Sequence, residues 1–452
     1  MIHLKNGRKI WADHVRENGN RVEYDVGDDS YAIPKSSIAS IEAGGLPPAY
    51  ASSSGSGGAK DLPPFVPEDG FVGHQDLAGK VVREGKVDPE ALASLEKEGN
   101  AELSATAYFL AGKHEFEHGN LPPARRYFET ALGFSPDNST ILSYYAMALV
   151  RSGNPAGALS YAQRSVRSKP DSADAYTVLG FVQFSNDRTK DAVNAWKRSL
   201  ELRPDPVVEQ YLAKAQREAT TEADFSQKES SHFVLHYEGK QTSEQLRREL
   251  IATLESQYDD LVRELGVAPR ANIAVTLYTE QAFFDVTHAP AWSGAVNDGK
   301  LRIPISGLSG MTSDLARVLK HELAHSFVRQ ASGGRCPTWL NEGIAQAVEP
   351  RSLSSNGRRL AELFRAQQAI PYNALEGSFM RFSPIQAAVA YDESLAAVEY
   401  IAETYGVSDV QRILERLGQG GSSEAALRVT IHSDYGQLQS EVGRYLASKY
   451  GN

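Results

Sequence analysis

The segment Val318-Leu319-Lys320-His321-Glu322-Leu323-Ala324-His325-Ser326-Phe327 decides how the carboxyl-terminal half of the chain is interpreted. Two histidines four residues apart lie one turn apart on the same face of a helix, so both rings can hold one zinc ion. Zinc lowers the pKa of a bound water toward about 7, and a neighbouring carboxylate such as Glu322 can take the proton. The segment therefore predicts a zinc site with Glu322 as the general base.

A catalytic zinc needs a third protein ligand, and a candidate lies downstream in Thr338-Trp339-Leu340-Asn341-Glu342-Gly343. The two motifs together resemble those of the gluzincin metallopeptidases, particularly the bacterial peptidase-MA-like group. The resemblance covers roughly residues 225–452 and implies an α+β zincin-like metallopeptidase domain. Carried over to this chain, it implies that His321, His325 and Glu342 bind one Zn²⁺ per chain and that Glu322 is the catalytic base.

The same resemblance implies two further features of an active site. Related peptidases use a tyrosine from a later helix to donate to the oxyanion, and Tyr391 has that place here; the alternative is a core tyrosine. The segment 292–299 corresponds to the substrate-binding edge strand of gluzincins, to which an extended peptide adds by backbone hydrogen bonds. Gluzincin aminopeptidases carry a glutamate in this loop, whereas this chain has Asn297 and Asp298. We therefore expect an endopeptidase, with an aminopeptidase as the alternative.

Other histidines are weaker candidates for metal ligands. The segment 114–118, His-Glu-Phe-Glu-His, repeats the zinc motif, but it stands at the predicted end of a helix with no Asn-Glu-Gly segment after it. We expect solvated helix-end residues there. His232 and His236 are predicted on one strand, where four residues span about 13 Å, too far for one metal. His288 precedes the predicted edge strand and could line the cleft.

A repeat with a period of 34 residues precedes this region. Two sets of small residues and one set of prolines recur at this spacing. The small residues are Gly112, Ala146 and Gly180 in one set and Ala124, Ala158 and Ala192 in the other, and the prolines are Pro136, Pro170 and Pro204. Small residues let two antiparallel helices approach closely, and proline stops the second helix. The pattern resembles the tetratricopeptide repeat; the alternative is an unrelated array of helical hairpins. We expect three repeats and a capping helix over 105–220, with a groove for a protein or peptide partner.

The amino-terminal part is predicted to form small units. Alternating apolar residues and the turn at Asn6-Gly7 predict a β-hairpin module over residues 1–43. Residues 44–67 have the Ala, Ser and Gly composition of a flexible linker. Residues 68–104 are predicted as a linker with a short helix that begins after Asp88-Pro89. The chain is thus predicted to be multidomain, and the separate repeats and linker predict that a fragment from about Asp224 folds and cleaves peptides alone.

Composition excludes several classes of protein. The chain has 452 residues and a net charge of −10, which disfavours a general nucleic-acid binder. Its single cysteine, Cys336, excludes an intrachain disulfide and a multi-thiolate zinc cluster. No apolar run is long enough to span a membrane. The family resemblance favours a periplasmic or secreted protein over the cytoplasmic alternative.

The predicted function is zinc-dependent hydrolysis of peptide bonds in a peptide or protein substrate. The rival interpretation is a non-catalytic interaction protein, in which the repeats bind a partner and the peptidase domain is vestigial. An inactive descendant would usually have lost a ligand or the base, whereas this chain retains all four residues.

Overall fold

The computed structural model describes most of the chain. The described residues are 2–5, 9–10, 14–26, 29–41, 75–83, 85–287, 295–305, 308–349, 351–354, 356–379 and 382–451. The predicted Asn6-Gly7 turn, the linker over 44–67, His288 and residues 292–294 of the predicted edge segment lie outside them. The fold is mostly helical, with tetratricopeptide-like helical repeats and small β regions.

The amino-terminal module consists of short antiparallel strands. They are β1 (Ile2–Leu4), β2 (Lys9–Ile10), β3 (His14–Asn18), β4 (Arg21–Val26), β5 (Asp29–Pro34) and β6 (Ile38–Ile41), with a 3₁₀ turn at Lys35–Ser37. Two three-stranded sheets result, with the strand orders β2-β1-β6 and β3-β4-β5. Ile2 and Val22 are fully buried in a small core that Val15, Ile33 and Ile38 complete.

Residues 68–104 are predicted as a linker with one short helix, but the structure has two helices and a β-hairpin in this segment. It forms α1 (Gln75–Val81), the hairpin of β7 (Val82–Arg83) and β8 (Lys86–Val87), and α2 (Pro89–Lys97). The predicted start of α2 is confirmed, since the Asp88 side chain accepts hydrogen bonds from the backbone N–H groups of Glu90 and Ala91 at 3.0 Å. Apolar residues of α1 and α2 pack against the next helix, so this segment caps the repeat array.

The repeat array consists of three antiparallel helix pairs and a terminal helix. They are α3 (Ala101–Glu117) with α4 (Leu121–Phe134), α5 (Ser139–Arg151) with α6 (Pro155–Ser168), α7 (Ala173–Ser185) with α8 (Thr189–Leu202), and α9 (Pro206–Thr221). Each second helix ends two residues before a periodic proline, as predicted. A Cβ on Gly180 would collide with the Trp196 ring, which explains why a small residue recurs there.

A five-stranded mixed sheet opens the carboxyl-terminal region. Its elements are β9 (Ser226–Glu229), β10 (Phe233–Tyr237), α10 (Glu244–Leu265), β11 (Ile273–Tyr278), α11 (Glu280–Thr287), β12 (Val296–Asn297) and β13 (Leu301–Pro304). The strand order is β12-β13-β11-β10-β9, in which β10, β11 and β13 are parallel and the outer strands are antiparallel. A turn at Asp298-Gly299 joins β12 to β13, and β12 lies at the edge of the sheet.

The described part of the chain after β13 is mainly helical. Its helices are α12 (Ser313–Ser332), α13 (Thr338–Val348), α14 (Gly357–Arg365), α15 (Pro384–Thr404), α16 (Val407–Gly418), α17 (Ser423–Ile431) and α18 (Tyr435–Tyr450), with a 3₁₀ turn at Tyr372–Leu375. One apolar core joins these helices to α10 and the sheet. Among the described residues, no helix is long and apolar enough to cross a membrane.

The repeat array is docked on the carboxyl-terminal region by buried charged groups. Glu218 of α9 is fully buried, and its carboxylate contacts Lys300 Nζ and lies 2.8 Å from Arg302 Nη2. Asp187, in the turn after α7, lies 2.5 Å from Lys300 Nζ and 2.8 Å from His236 Nε2. The separate sequence patterns of the two regions had predicted independent units; the structure instead gives them a shared, dehydrated interface.

Candidate metal centre

The two motif segments form neighbouring helices with their polar groups facing each other. The Thr312 side chain caps α12 by accepting from Leu315 N–H at 3.1 Å, and Gly333 ends that helix in the left-handed conformation at φ 59°. The Nε2 atoms of His321 and His325 lie 3.6 and 4.0 Å from Glu342 Oε2 on α13. The three side chains are almost completely buried.

Neighbouring side chains orient the two imidazole rings. His325 Nδ1 lies 3.0 Å from Asn341 Oδ1, and His321 Nδ1 lies 3.5 Å from Glu349 Oε2. A ring that donates its Nδ1–H to an acceptor keeps the lone pair of Nε2 for a metal. Both rings therefore have a fixed orientation, in which Nε2 faces the Glu342 carboxylate.

The two histidines differ in their affinity for a proton. Burial opposes a charge on His321, but its contacts with Glu342 and Glu349 outweigh burial and raise its pKa to about 10. Burial lowers the pKa of His325 to about 4, so this ring is neutral at neutral pH. Because a metal binds deprotonated imidazole, binding of a cation at this site would require loss of the His321 proton.

Glu322 is a buried carboxyl group whose pKa is raised. It is fully buried, and neither carboxylate oxygen has a hydrogen-bond partner among the described residues. Burial, with the nearby charges of Glu342 and Glu349, raises the pKa of Glu322 to about 8. Such a group costs folding free energy, so its retention at this position points to a chemical role.

The donor set fits a zinc ion. Zinc with bonds of about 2.0–2.1 Å holds tetrahedral ligand atoms roughly 3.3 Å apart, and the observed separations of 3.6 and 4.0 Å are close to that value. The ligand atoms of the trio lie within 4.8 Å of one another. His325 Nε2 is buried without a hydrogen-bond partner among the described residues, as expected of an atom that serves a metal.

Tyr391 lies beside this cluster on α15. A Cβ at Gly343, next to Glu342, would collide with the backbone oxygen of Ser394, so glycine there lets α15 approach α13. Gln346 Nε2 donates to the Tyr391 carbonyl at 3.0 Å and joins the two helices. Burial, followed by the charges of Glu342 and Glu322, raises the pKa of the Tyr391 phenol well above its usual value. The phenol is therefore a neutral hydroxyl whose ionisation is opposed by burial and by the charges of both carboxylates.

Four weaker histidine candidates lie among the described residues, and each has other partners. The rings of His114 and His118 are tilted by 40° with centroids 4.2 Å apart, and their nitrogens lie 3.1 Å from Gly85 O and 2.8 Å from His114 O. His232 pairs with Glu255 at 2.6 Å, and His236 takes part in the interface described above. Among the described residues, the trio His321, His325 and Glu342 is the one group that could hold a metal ion.

The contacts of three side chains near the site were not predicted, although the sequence contains an indication of each. Glu349 stands seven residues after Glu342 and therefore returns to the same helix face. Asn341 precedes Glu342 inside the motif. Asn297, at the strand edge, is buried and donates to the Glu322 carbonyl at 2.6 Å and to Ser326 Oγ at 2.8 Å. Its amide thus fixes β12 against α12 instead of facing a substrate.

Comparison with known families agrees with this division of the chain. The Peptidase MA superfamily model matches residues 256–448, and a tetratricopeptide repeat model matches residues 146–206. The chain therefore contains a Peptidase MA superfamily domain preceded by tetratricopeptide repeats. No curated protein matches the chain.

Solved structures similar to the chain are tetratricopeptide proteins. The first tetratricopeptide domain of human RPAP3 is 22% identical to this chain. The match covers 26% of this chain and 92% of the RPAP3 chain, with a TM-score of 0.25. The corresponding domain of Arabidopsis OM64 is 14% identical and covers 26% and 98%, with a TM-score of 0.26. The domain of Sgt2 from Aspergillus fumigatus is 20% identical and covers 33% and 91%, with a TM-score of 0.25.

Proposed function

We propose that this chain is a zinc-dependent metallopeptidase of the gluzincin type, with a tetratricopeptide array that binds a protein or peptide. The observation that carries the proposal is the buried trio His321, His325 and Glu342, with the unpartnered Glu322 carboxylate beside it. His321, His325 and Glu342 would hold the metal. A bound zinc would supply Lewis-acid activation of a water and of the scissile carbonyl.

The protein groups would divide the proton transfers of hydrolysis among them. Glu322 would take the proton of the attacking water and later give it to the leaving amine, acting first as general base and then as general acid. The Tyr391 hydroxyl donates to the oxygen of the attacked carbonyl as negative charge develops there. Asn341 and Glu349 hold the two rings in position while this happens.

An endopeptidase is favoured over an aminopeptidase by the groups at the sheet edge. Asn297 is committed to α12, and Asp298 pairs with Arg302 at 3.0 Å and Lys214 at 3.0 Å. Neither side chain is available to hold a substrate amine. Peptides with an internal quenched fluorophore should therefore be cleaved, and blocking their amino terminus should leave the rate unchanged; loss of cleavage on blocking would support the aminopeptidase.

The experiment that tests the proposal replaces the base and keeps the ligands. Glu322→Gln preserves the shape of the side chain and removes the proton acceptor. We expect the variant to bind zinc like the wild type and to lose peptide cleavage by several orders of magnitude. Near-wild-type cleavage by Glu322→Gln would exclude Glu322 as the base. A wild-type protein that binds zinc but cleaves no member of a broad peptide library would support the non-catalytic alternative.

A further inference from the structure

A cavity of about 250 Å³ lies between the repeat array and the peptidase domain, and we refer to it as the interdomain cavity. The ends of α5 and α7 and the helix α9 line one side, with Arg151, Phe184 and Lys214. The segment before β11, the turn between β12 and β13, and α12 line the other side, with Arg270 and Arg329 among them. Both regions of the chain thus contribute to one concave surface.

The lining of this cavity is strongly cationic. Its basic side chains are those of Arg151, Lys214, Arg270, Lys300, Arg302 and Arg329. Among the described residues of the lining, Asp298 is the one acidic side chain. Lys300 and Arg302 also contact three carboxylates behind the wall, and these belong to Asp187, Glu218 and Glu222. Even when all of these are counted as charged, the cations outnumber the carboxylates, so the cavity favours an anion.

The side chain of Arg151 is one of these cations and is partly buried. Its guanidinium lies 4.2 Å from the centroid of the Phe116 ring, and burial lowers its pKa. A desolvated cation of this kind is stabilised when a carboxylate enters its surroundings, since charge-assisted hydrogen bonds to guanidinium are strong. Arg270, on the opposite side, is exposed and can meet an approaching ligand first.

The cavity adjoins the candidate metal centre along α12. Arg329 follows His325 by four residues, so it lies on the same helix face about 6 Å further along the axis. Ser326, the residue after His325, also lines the cavity and accepts from Asn297 Nδ2 at 2.8 Å. The edge strand β12, to which an extended peptide would add, leads into the Asp298-Gly299 turn that forms part of the wall.

We propose that the interdomain cavity binds an acidic segment of the peptide substrate while an adjoining segment lies at the metal centre. This inference rests on the proposed peptidase function and extends it to a substrate class, peptides with clustered Asp and Glu residues. The repeats then take part in selecting the substrate through Arg151 and Lys214, in addition to any partner in their groove.

The test measures binding without cleavage, on full-length Glu322→Gln protein. Fluorescence anisotropy compares a labelled 12-residue peptide having Asp and Glu in one half with a matched peptide having Asn and Gln. We expect the acidic peptide to bind at least ~10-fold more tightly, with an affinity that falls as salt is raised, since each contact is ionic. Equal affinity for the two peptides would overturn the proposal.

Substitutions of arginines test whether the acidic peptide binds in the interdomain cavity. Adding Arg151→Gln and Arg270→Gln together should remove the preference for the acidic peptide, whereas Arg198→Gln, which neutralises an exposed arginine of α8 outside the cavity, should retain it. If the double variant does not fold, as judged by circular dichroism, Arg270→Gln alone should still weaken acidic-peptide binding because Arg270 is exposed. An unchanged preference in a folded variant would place the peptide elsewhere.

Two further outcomes separate this inference from its alternatives. Displacement of the acidic peptide by inorganic phosphate at equal concentration would overturn the peptide assignment in favour of a small-anion site. Tight, cavity-dependent binding together with no hydrolysis by the wild type would retain the binding site and refute the proposed peptidase function. Hydrolysis by the wild type with equal affinity for the two peptides would retain the proposed peptidase function and refute binding of an acidic segment in the cavity.

Discussion

The buried carboxylate of Glu218 gives a sharp test of how the repeats and the peptidase domain hold together. The side chain accepts from Thr189 Oγ1 at 2.8 Å, contacts Lys300 Nζ, and lies 2.8 Å from Arg302 Nη2. Burial alone would raise the pKa of Glu218, but Arg302 and Lys300 outweigh it and hold that pKa below its ordinary value. The carboxylate is therefore ionised and balances two buried cations.

Glu218→Gln keeps the volume of the side chain and removes its charge. Each cation loses one carboxylate and keeps at least one, since Arg302 retains Asp298 at 3.0 Å and Glu222 at 3.8 Å and Lys300 retains Asp187 at 2.5 Å. Removing one member of a buried ion pair typically costs about 3–5 kcal/mol of stability, because a desolvated charge is left behind. At roughly 2–4 °C for each kcal/mol, the unfolding temperature should fall by about 10 °C.

Differential scanning calorimetry of the full chain measures this shift. The matched control is Glu209→Gln on the same helix, which removes an exposed carboxylate and should cost under about 1 kcal/mol. A Glu218→Gln protein as stable as the control would refute the argument that this network joins the domains. By the same reasoning, a fragment from Asp224 onward, which lacks Asp187 and Glu218, should be poorly folded, in contrast to the expectation from sequence.

Three further predictions concern the metal, the phenol and a buried acid. Metal analysis of purified protein should find about one zinc per chain, which His325→Ala loses and His118→Ala retains; the opposite pattern would place the metal in the repeats. Tyr391→Phe should lower kcat by roughly 10²-fold with little change in KM or zinc content, and unchanged turnover would make Tyr391 a packing residue. Burial raises the pKa of Glu393 to about 8, although Ile370 N–H donates to it at 2.9 Å. The folded protein thus keeps a proton that the unfolded chain releases above about pH 4.3, so wild-type stability should fall as pH rises from about 5 to 8. Urea denaturation of Glu393→Gln should show a smaller fall over this range, and parallel pH profiles for both proteins would contradict the assignment.

Short-range spacing in the sequence was enough to predict the helices of the site. Histidines at i and i+4 must share a helix face, and the Asn-Glu-Gly segment after Pro337 lies in the next helix. The resemblance to gluzincins then implied that Glu342 joins His321 and His325. The 34-residue period predicted the three helix pairs for a similar reason, since small residues and prolines act on their immediate neighbours. The motif at 114–118 shows the limit of such patterns, because the same spacing of two histidines and a glutamate there forms a helix end.

Contacts between distant segments were decided by the tertiary structure alone. Glu349 acquires its role because α13 packs on α12 in a register that brings its carboxylate to the His321 ring. Lys300 and Arg302 alternate along a strand like surface residues, and their partners Asp187 and Glu218 lie more than 80 positions earlier. The sequence by itself determined that His321 and His325 share one helix face, because local helix geometry places them there. Only the tertiary structure decided that the repeats share a buried ionic interface and a cationic cavity with the peptidase domain, because charge pairing across a dehydrated surface depends on which surfaces meet.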